Sequence, residues 1–574
     1  MIEQGSSDRR LTVFLWCGVF FAVSAGAVRL FTNYDNSEYY SAWLTLRMSA
    51  WGLNPKDFTH PALHYYLNLV ENYLVYAAAH HWLGVRDLWE YWATFYMAAH
   101  PPMIVIGRIQ SLLLGLGTAA LMYHTTKRFW GRREAVLAFL LFISTGSFSH
   151  FSGYFKYINT NLFFNMLAVH CILAFYQYGC GRRMTAAAAA VAFAFASDYP
   201  SLSLIVPLLF VIFEKSRGEG KSTAEHIKQF LPAALRATII IIAIFIFFNP
   251  YILMDFATFR EYFTFHLRLV SGEIEGASRA TGPLGYFTYL LMMATPMFLG
   301  PFFFVIFWLG VTGAFKRRKD AAVVLLLYVI FYIIAISSLS RKESRFLFAA
   351  APPICMLTSI YFFRISGSER LKAVRLKVIK ILAIIFLALQ FTSSISNCVV
   401  MQIERDVIGD LRKWVEGHVP DGAVVALEDY NPPLMLSERA VRERIAASDS
   451  DITSEGRIMQ AVETLVARRK NAPRYYQIPM TDRPYLDAHT MHPEYFSCAG
   501  VGWVILNETT AEKHKNSSES YSEFLRWLRK QGPPAAIFKS SAFSDANAHY
   551  SVYRLKPTSS EDEDNCDEII NGVR

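Results

Sequence analysis

Charged residues are scarce in this chain. Of its 574 residues, 18% are Asp, Glu, Lys or Arg, against about 25% in typical soluble domains. Hydrophobic residues make up 53% of the chain, and the mean hydropathy is +0.25. They cluster in runs of about 17–25 residues, long enough to cross a hydrocarbon core about 30 Å thick. The composition therefore excludes a soluble multidomain protein and indicates a polytopic α-helical membrane protein.

Cysteine is also scarce. The seven cysteines are scattered without metal-ligand spacing, and most lie in apolar runs, so the sequence predicts neither a disulfide framework nor a zinc site. The formal charge of +9 could suggest a nucleic-acid partner. However, the basic residues fall in short blocks between apolar runs, which is typical of cytoplasmic loops. No nucleic-acid partner is predicted.

The apolar runs predict about eleven membrane spans. They lie near residues 11–32, 102–124, 134–150, 161–179, 184–198, 200–214, 234–250, 293–314, 321–338, 345–363 and 378–398. Arg9 and Arg10 precede the first run and place the N-terminus in the cytoplasm. A cleaved signal peptide is the alternative for this run, but its apolar part of about 20 residues exceeds the usual 7–15.

Residues 62–83 resemble a further span but carry a heavy polar load that includes His64, Glu71 and His80. If they crossed, every later basic block would move to the outer side, against the orientation bias. We therefore predict that 33–101 is one long outer loop whose two helices lie along the membrane interface.

The composition changes after residue 400. The sequence predicts an amphipathic helix over Asp406–Glu416 and short strands at 422–427, 502–506 and 550–553. These features divide the chain into a membrane domain at 1–400, a small extracytoplasmic α/β domain at 401–557, and an acidic disordered tail at 558–574.

Unusual polar residues collect on the predicted outer side. Asp35 and Glu38 follow the first span, where acidic side chains are costly unless they serve a function. An N-cap role for Asp35 is the alternative. Arg341, Lys342 and Arg345 fall in a short outer loop, against the orientation bias. A phosphate anion would explain them, and snorkelling at a span end is the alternative.

Three further polar residues on this side have ordinary structural alternatives. Lys156 is a weaker phosphate candidate, because a single cation in a loop also fits snorkelling. His60 precedes Pro61 and could be a turn residue. Asp198 stands just before Tyr199-Pro200, where it could serve to break a helical hairpin.

These residues carry a resemblance to a known family. The first outer loop reads Tyr34-Asp35-x-x-Glu38-Tyr39, then Asn54-Pro55-x-x-Phe58-x-His60-Pro61. It resembles membrane glycosyltransferases of the C-type fold (GT-C), in the branch of the dolichyl-phosphate-mannose-protein mannosyltransferases (family 39) and the lipid A aminoarabinose transferases. Gly107-Arg108 and Lys342-x-x-Arg345-Phe346 with Pro352-Pro353 resemble later motifs of this branch.

The chain also departs from this pattern. Many relatives have adjacent Asp-Glu in the first loop, whereas here Ser37 precedes Glu38 and the aspartate is Asp35. Which carboxylate is the base is therefore open. Relatives also often carry an acid in the second outer loop. Here His150 is followed by Lys156 and Asn159 without one, which leaves a second acidic role in doubt.

The resemblance implies that one sugar moves, with inversion, from a polyprenyl-phosphate (dolichyl- or undecaprenyl-phosphate) carrier to a hydroxyl of a lipid, glycan or protein. Asp35 is then the favoured base and Glu38 its partner or the alternative base. Arg345, with Lys342 or Arg341, is the favoured phosphate clamp, and Lys156 is a weaker member. Tyr39, His60 and Arg108 would line the substrate groove.

The reaction requires no cofactor, and residue spacing supports no metal site, although a divalent metal stays open. The resemblance further implies the bacterial inner membrane, with the active site on the periplasmic or extracellular side. A polytopic transporter or lipid flippase is the alternative function. It is less favoured because transporters place ionisable residues near the bilayer midplane, between repeats, and no repeat is visible in this sequence.

Overall fold

The computed structural model describes most of the chain. The described ranges are 2–30, 53–83, 101–217, 222–271, 283–315, 321–337, 344–366, 373–403, 407–427, 475–479, 493–508, 519–539 and 549–555, with the single residues Glu38, Ser41, Leu44, Thr45, Met48, Leu434, Ser437 and Ala511. Asp35, Tyr39, Arg341 and Lys342 lie outside the described residues, as do parts of the predicted loop 33–101 and the whole of the predicted tail.

Seventeen helices are described between residues 2 and 403. In chain order they are α1 (Ile2–Leu30), α2 (Leu63–Leu83), α3 (Pro101–Phe129), α4 (Arg132–Ser144), α5 (Gly146–Phe151), α6 (Tyr157–Tyr178), α7 (Gly181–Ser197), α8 (Ile205–Ser216) and α9 (Thr223–Phe248). They continue with α10 (Tyr251–Met254), α11 (Phe256–Ser271), α12 (Pro283–Met293), α13 (Gly300–Phe315), α14 (Ala322–Ser337), α15 (Ser344–Phe348), α16 (Ala351–Ser366) and α17 (Ala373–Ile403). A 3-10 helix, Tyr199–Leu204, joins α7 to α8.

Helical structure occupies each segment predicted to span the membrane. Among the described residues, six helical segments are long and apolar enough to cross by themselves: Leu11–Val28, Ile104–Phe129, Tyr157–Tyr178, Tyr199–Ser216, Thr223–Phe248 and Lys377–Val399. Several leave large apolar side chains uncovered, such as Leu231 (60% exposed) and Phe247 (75%) on α9. An aqueous surface does not favour such a contiguous apolar face. The chain is therefore an integral membrane protein.

Prolines and polar residues end the helices on one side of the bundle. Asp198 precedes Tyr199-Pro200, where α7 gives way to the 3-10 helix. Asn249 precedes Pro250 at the end of α9. Because proline disfavours the helical conformation just before it, both helices end there. A capping box of Ser222 and Glu225 begins α9 at the other end, which satisfies two otherwise unpaired backbone N–H groups.

Helix α2 is not one of the six long apolar spans. Its His64, Asn68 and Asn72 are buried, whereas Leu74 (66% exposed) and Trp82 (76%) are uncovered. A helix with this distribution suits the membrane interface, with its polar stripe against the bundle. The second helix predicted for this loop lies outside the described residues.

The chain after residue 403 contains a mixed five-stranded sheet. Its elements are α18 (Val407–His418), β1 (Val424–Leu427), β2 (Tyr476–Pro479), α19 (Pro493–Cys498), β3 (Val501–Asn507), α20 (Glu519–Lys530), β4 (Ala536–Lys539) and β5 (His549–Arg554). The strand order is β2-β1-β3-β5-β4. The β1–β2 and β1–β3 pairs are parallel, and β5 is antiparallel to β3 and β4. The predicted helix and the three predicted strands are found here as α18, β1, β3 and β5.

One cysteine differs from the sequence expectation. Cys498, at the end of α19, is disulfide-bonded, although the scattered cysteines predicted no disulfide. Cys17, Cys171, Cys180, Cys355 and Cys398 are free, as expected. Spacing along the sequence could not reveal this bond, because disulfide pairing depends on distances that only the folded chain sets.

Candidate active site

Glu38 and Arg108 form a buried ion pair. Arg108 Nε donates to Glu38 Oε1 at 2.8 Å, and Arg108 Nη2 donates to Oε2. The backbone N–H of Phe155 also donates to Oε1, at 2.9 Å. Both side chains are fully buried. Both oxygens of Glu38 already accept hydrogen bonds, so Glu38 is better placed to position neighbouring groups than to accept a proton. This favours Glu38 as the partner of the base rather than as the base itself.

Gly107 allows this pair to form. A Cβ atom at Gly107 would lie 2.0 Å from Cδ2 of Phe155, a distance that no real Cβ contact reaches. Because Gly107 has no side chain, Phe155 can pack against α3 beside Arg108. The backbone N–H of Phe155 is thereby held where Glu38 accepts its hydrogen bond. Each residue of the Gly107-Arg108 motif therefore has a physical role: Gly107 leaves space for Phe155, and Arg108 pairs with Glu38.

Asp198 and His60 form a second polar contact. His60 Nδ1 lies 3.5 Å from Asp198 Oδ1, and the imidazole stacks on Tyr157 with ring centroids 3.8 Å apart. At 3.5 Å the contact is electrostatic, because a well-formed hydrogen bond is shorter. The Asp198 side chain is 7% exposed and that of His60 24%. The two come from the first outer loop and from the end of α7.

Asn161 holds the Asp198 carboxylate in place. Its Nδ2 donates to Asp198 Oδ2 at 3.1 Å, while its Oδ1 accepts from Ser201 Oγ at 2.7 Å and from Asn165 Nδ2 at 2.7 Å. All four side chains are buried. These hydrogen bonds restrict the orientation of the carboxylate, which presents Oδ1 toward His60.

The loop before His60 is anchored to the turn between α10 and α11. Asp255 Oδ2 accepts from Asn54 Nδ2 at 2.7 Å and lies 2.9 Å from Lys56 Nζ. Burial opposes ionisation of Asp255, but hydrogen bonds from Lys56, Thr258 and Asn54 outweigh it and lower the pKa of Asp255 to about 2. Lys56 has a φ of 53°, a left-handed conformation that most side chains avoid. The three contacts at Asp255 stabilise this turn.

His64 connects α2 to the same end of the bundle. Its Nδ1 lies 3.1 Å from Thr160 Oγ1, and its Nε2 lies 3.1 Å from Asn68 Nδ2. Burial, together with the nearby His60, lowers the pKa of His64 to about 3. His64 is therefore neutral near pH 7 and serves as a packing and hydrogen-bonding residue. At the neighbouring turn, Asn249 Oδ1 accepts from the backbone N–H of Ala62 at 2.7 Å.

Two of the predicted phosphate-binding cations, Lys156 and Arg345, lie at the same end. Lys156 Nζ lies 5.3 Å from the ring centroid of Tyr154, and the Arg345 guanidinium lies 5.2 Å from that of Phe346. Tyr332 contacts the segment that carries Arg345, because its hydroxyl donates to the Phe346 carbonyl at 3.1 Å.

Each predicted site residue therefore has one of three outcomes. Glu38 and Arg108 are joined directly. His60, Lys156 and Arg345 lie at the same end of the bundle as that pair. Asp35, Tyr39, Arg341 and Lys342 lie outside the described residues. Within the described ranges, no three His, Cys, Asp or Glu side chains are grouped so as to hold a metal ion.

Asp198 lies beside His60, a contact that its position in the sequence did not predict. Its position before Tyr199-Pro200 explained it as a helix terminator, and this explanation also holds in the structure. A second signal was available. His60 and Asp198 both stand near prolines at helix ends on the outer side, so both belonged to turns that could meet.

Comparisons with known proteins identify similar structures but no sequence family. No family model matches the chain, and no curated protein matches it. ArnT from Cupriavidus metallidurans bound to undecaprenyl phosphate is 12% identical, with a TM-score of 0.46 over 95% of this chain and 99% of that one. The oligosaccharyltransferase AglB from Archaeoglobus fulgidus, in complex with an inhibitory peptide and a dolichol-phosphate, is 11% identical, with a TM-score of 0.48 over 93% of this chain and 74% of that one.

The S. cerevisiae protein O-mannosyltransferase Pmt1-Pmt2 complex bound to the sugar donor is 17% identical, with a TM-score of 0.30 over 48% of this chain and 37% of that one. Two groups named from the sequence motifs thus recur among the similar structures. Because the TM-scores are below 0.5 and the identities below 25%, these likenesses establish neither the reaction nor the substrates of this chain.

Proposed function

We propose that this protein is an inverting membrane glycosyltransferase. It transfers a sugar from a polyprenyl-phosphate carrier to a hydroxyl acceptor on the non-cytoplasmic face. The observation that carries the proposal is the convergence of ionisable side chains at one end of the helical bundle. Glu38 with Arg108, and His60 with Asp198, meet there from four separate segments of the chain.

The chemistry assigned to this end has two requirements. A hydroxyl is a weak nucleophile, so a nearby base must accept its proton as the new glycosidic bond forms. Inversion needs only one displacement, because no covalent sugar–enzyme intermediate is made. As the acceptor oxygen bonds to the anomeric carbon, the bond from that carbon to the phosphate oxygen breaks. Its electron pair leaves with the polyprenyl phosphate.

The residues divide between two tasks: accepting the hydroxyl proton and stabilising the leaving phosphate. Asp35 remains the favoured base, since the oxygens of Glu38 are engaged by Arg108 and by the N–H of Phe155. Glu38 and Arg108 then position the loop that carries Asp35. Arg345, with Lys342 or Arg341, stabilises the charge that develops on the leaving phosphate, and Lys156 is the weaker candidate.

His60 and Tyr39 are assigned to the substrate groove. Arg108 was expected there as well, but its buried pairing with Glu38 gives it a supporting role instead. The immobilised Asp198 carboxylate beside His60 supplies the second acid that the second outer loop lacks, and it orients the imidazole toward the acceptor.

The remaining features of the architecture fit the same proposal. The shorter helices, including α13 and α14, complete about eleven spans, and residues 401–557 form a domain outside the cytoplasm. The disulfide at Cys498 supports placement of this domain outside the cytoplasm, because disulfides persist in oxidising compartments such as the periplasm. Placement in a bacterial inner membrane is part of the proposal. A transporter is less well supported, since the ionisable groups lie at helix ends rather than near the midplane.

The direct test supplies purified protein in lipid with a polyprenyl-phosphate sugar and a set of hydroxyl acceptors, and measures release of polyprenyl phosphate. Asp35→Asn is expected to reduce turnover by about a hundredfold or more, the usual effect of removing a general base. Arg345→Ala is expected to weaken use of the lipid donor while leaving thermal unfolding unchanged.

Two results would contradict the proposal. Full turnover by both Asp35→Asn and Glu38→Gln, in folded protein, would remove the assigned base. Transport of the lipid-linked sugar across vesicles without sugar transfer would support the flippase alternative instead. Mass spectrometry of glycans and glycolipids, with and without the active protein, then identifies the sugar and the acceptor.

A further inference from the structure

A cluster of cations lies at the opposite end of the bundle. Three helix termini meet there: the end of α3, the end of α6 with the start of α7, and the end of α8. Arg128, Arg183 and Lys215 come from these termini and surround Tyr176 and Tyr178. The proposed transfer reaction makes no use of them.

Tyr178 is the centre of this cluster. The Arg183 guanidinium lies 3.7 Å from the ring centroid of Tyr178, and that of Arg128 lies 5.0 Å from it. Arg128 Nη2 also donates to the Tyr178 hydroxyl at 2.8 Å. Two guanidinium groups from different helices are thus held against one aromatic ring, a geometry that cation–π attraction and the hydrogen bond both favour.

Lys215 completes the cluster. Its Nζ lies 5.5 Å from the ring centroid of Tyr176, and a Cβ at Gly179 would lie 3.8 Å from that Nζ. Lys215 therefore lies beside the turn that follows Tyr178. Gly179 has a φ of 65°, a left-handed conformation that glycine adopts readily, and this turn reverses the chain between α6 and α7.

Within the described part of the chain, the cluster includes no counter-charge. Arg128, Arg183 and Lys215 form no ion pair with a carboxylate among the described residues. Arg183 Nη1 is buried and has no hydrogen-bond partner within the described part of the chain. Like charges held together repel one another, and a buried donor without an acceptor is unfavourable. An anion with several oxygens would offset both effects.

The surroundings indicate which anion this is. The cluster lies where three candidate spans end, Ile104–Phe129, Tyr157–Tyr178 and Tyr199–Ser216. Phe213 (41% exposed) on α8 and Leu231 (60%) on α9 leave apolar surface uncovered at the same end. A ligand with phosphate oxygens and acyl chains would satisfy the cations and cover this apolar surface.

We infer that Arg128, Arg183 and Lys215, arranged around Tyr178, bind the phosphate of an anionic phospholipid headgroup in the leaflet opposite the proposed active site. The arginine forks contact the phosphate oxygens, and Lys215 adds a point charge. The inference does not depend on the proposed transfer reaction.

The test uses the full chain reconstituted in phosphatidylcholine nanodiscs with increasing fractions of phosphatidylglycerol. Native mass spectrometry after release counts the phosphatidylglycerol molecules that stay bound. Arg183→Ala is expected to lower retention about fivefold, the effect of one membrane-surface cation. Tyr178→Phe keeps the ring but loses the anchor of Arg128, and it should lower retention less. Arg183→Lys keeps the positive charge but loses the planar guanidinium group. Its retention of phosphatidylglycerol should lie between that of wild type and that of Arg183→Ala.

Arg236→Ala is the matched control. Arg236 is an exposed cation near the same end whose Nη2 donates to Thr185 Oγ1 at 3.3 Å, and it does not contact Tyr178. Arg236→Ala should retain as much phosphatidylglycerol as wild type. Equal losses of retained phosphatidylglycerol in Arg183→Ala and Arg236→Ala would overturn the inference, because they would show that retention depends on total charge and not on a specific site. Unchanged retention in Arg183→Ala would overturn it as well.

A second arm separates the lipid from a free anion. Inorganic phosphate is added to the same nanodiscs, and the retained phosphatidylglycerol is counted again. Partial displacement in wild type, absent in Arg183→Ala, would support a shared phosphate site that the lipid occupies. Binding of inorganic phosphate by wild type without retention of phosphatidylglycerol would overturn the assignment to a lipid.

Discussion

Arg108 and Glu38 are joined by two parallel hydrogen bonds across 70 residues of sequence, and neither side chain is exposed. This bidentate pair fixes the first outer loop to α3. A buried pair of this kind contributes little net stability, because desolvation offsets the attraction. Its value is positional, since it joins two segments that are far apart in the sequence.

Removing one member of the pair should therefore destabilise the protein strongly. Glu38→Ala removes the carboxylate that the buried Arg108 guanidinium contacts, and we expect a loss of about 3–5 kcal/mol in the free energy of unfolding. Thermal unfolding in detergent, followed by intrinsic fluorescence, measures the change. The double variant Glu38→Gln with Arg108→Met should be more stable than Glu38→Ala, because it buries no charge. An unaltered unfolding midpoint in Glu38→Ala would show that the pair does not form.

The close approach of Gly107 to Phe155 gives a second prediction. Gly107→Ala would place a methyl group 2.0 Å from the Phe155 ring, so Phe155 must move and draw its N–H away from Glu38. We expect a loss of about 1–3 kcal/mol, as for overpacked cores, together with reduced turnover. Gly115→Ala, on the same helix, is the control, because its nearest neighbour is 3.6 Å away and alanine favours the helix. Equal unfolding midpoints for the two variants would contradict this geometry.

The contact between Asp198 and His60 gives a third prediction. An asparagine at position 198 can still accept from Asn161 but lacks the negative charge that lies 3.5 Å from Nδ1 of His60. We expect Asp198→Asn to lower turnover by about tenfold to a hundredfold, the range for removing a carboxylate that orients a functional histidine. Thermal unfolding should change little, because the hydrogen bond from Asn161 is kept. Loss of turnover that merely follows loss of folded protein would return Asp198 to the role of a helix terminator.

Much of the membrane part could be predicted from the sequence. Apolar runs gave the helices, because their length must match the bilayer, and the polar load of His64 and Asn68 correctly distinguished α2 from the long apolar spans. The pairing of Glu38 with Arg108 could not be predicted, since each occurs in a separate motif and only the packing of Phe155 on Gly107 brings them together. The contact of His60 with Asp198 was hidden for a similar reason: local turn chemistry already explained each residue.

Helix α2 gives a prediction on pH. Burial raises the pKa of Glu71 from 4.5 to about 8, so the folded state holds this proton at pH values where the unfolded state has lost it. The free energy of unfolding should therefore decrease as the pH rises from about 4.5 to about 8. His64 acts with the opposite sign between pH 6.5 and about 3, because burial lowers its pKa. The two effects oppose each other in the overlapping range, so the wild-type profile alone does not separate them.

The difference between Glu71→Gln and wild type isolates the contribution of Glu71. Glutamine stays neutral, so the stability of the variant relative to wild type should rise steadily between pH 5 and about 8 and then level off. Unfolding midpoints measured in nanodiscs at fixed ionic strength give this difference. A flat difference would show that Glu71 ionises as it would in water, and α2 would then have to expose its Glu71 face to solvent rather than to the interface.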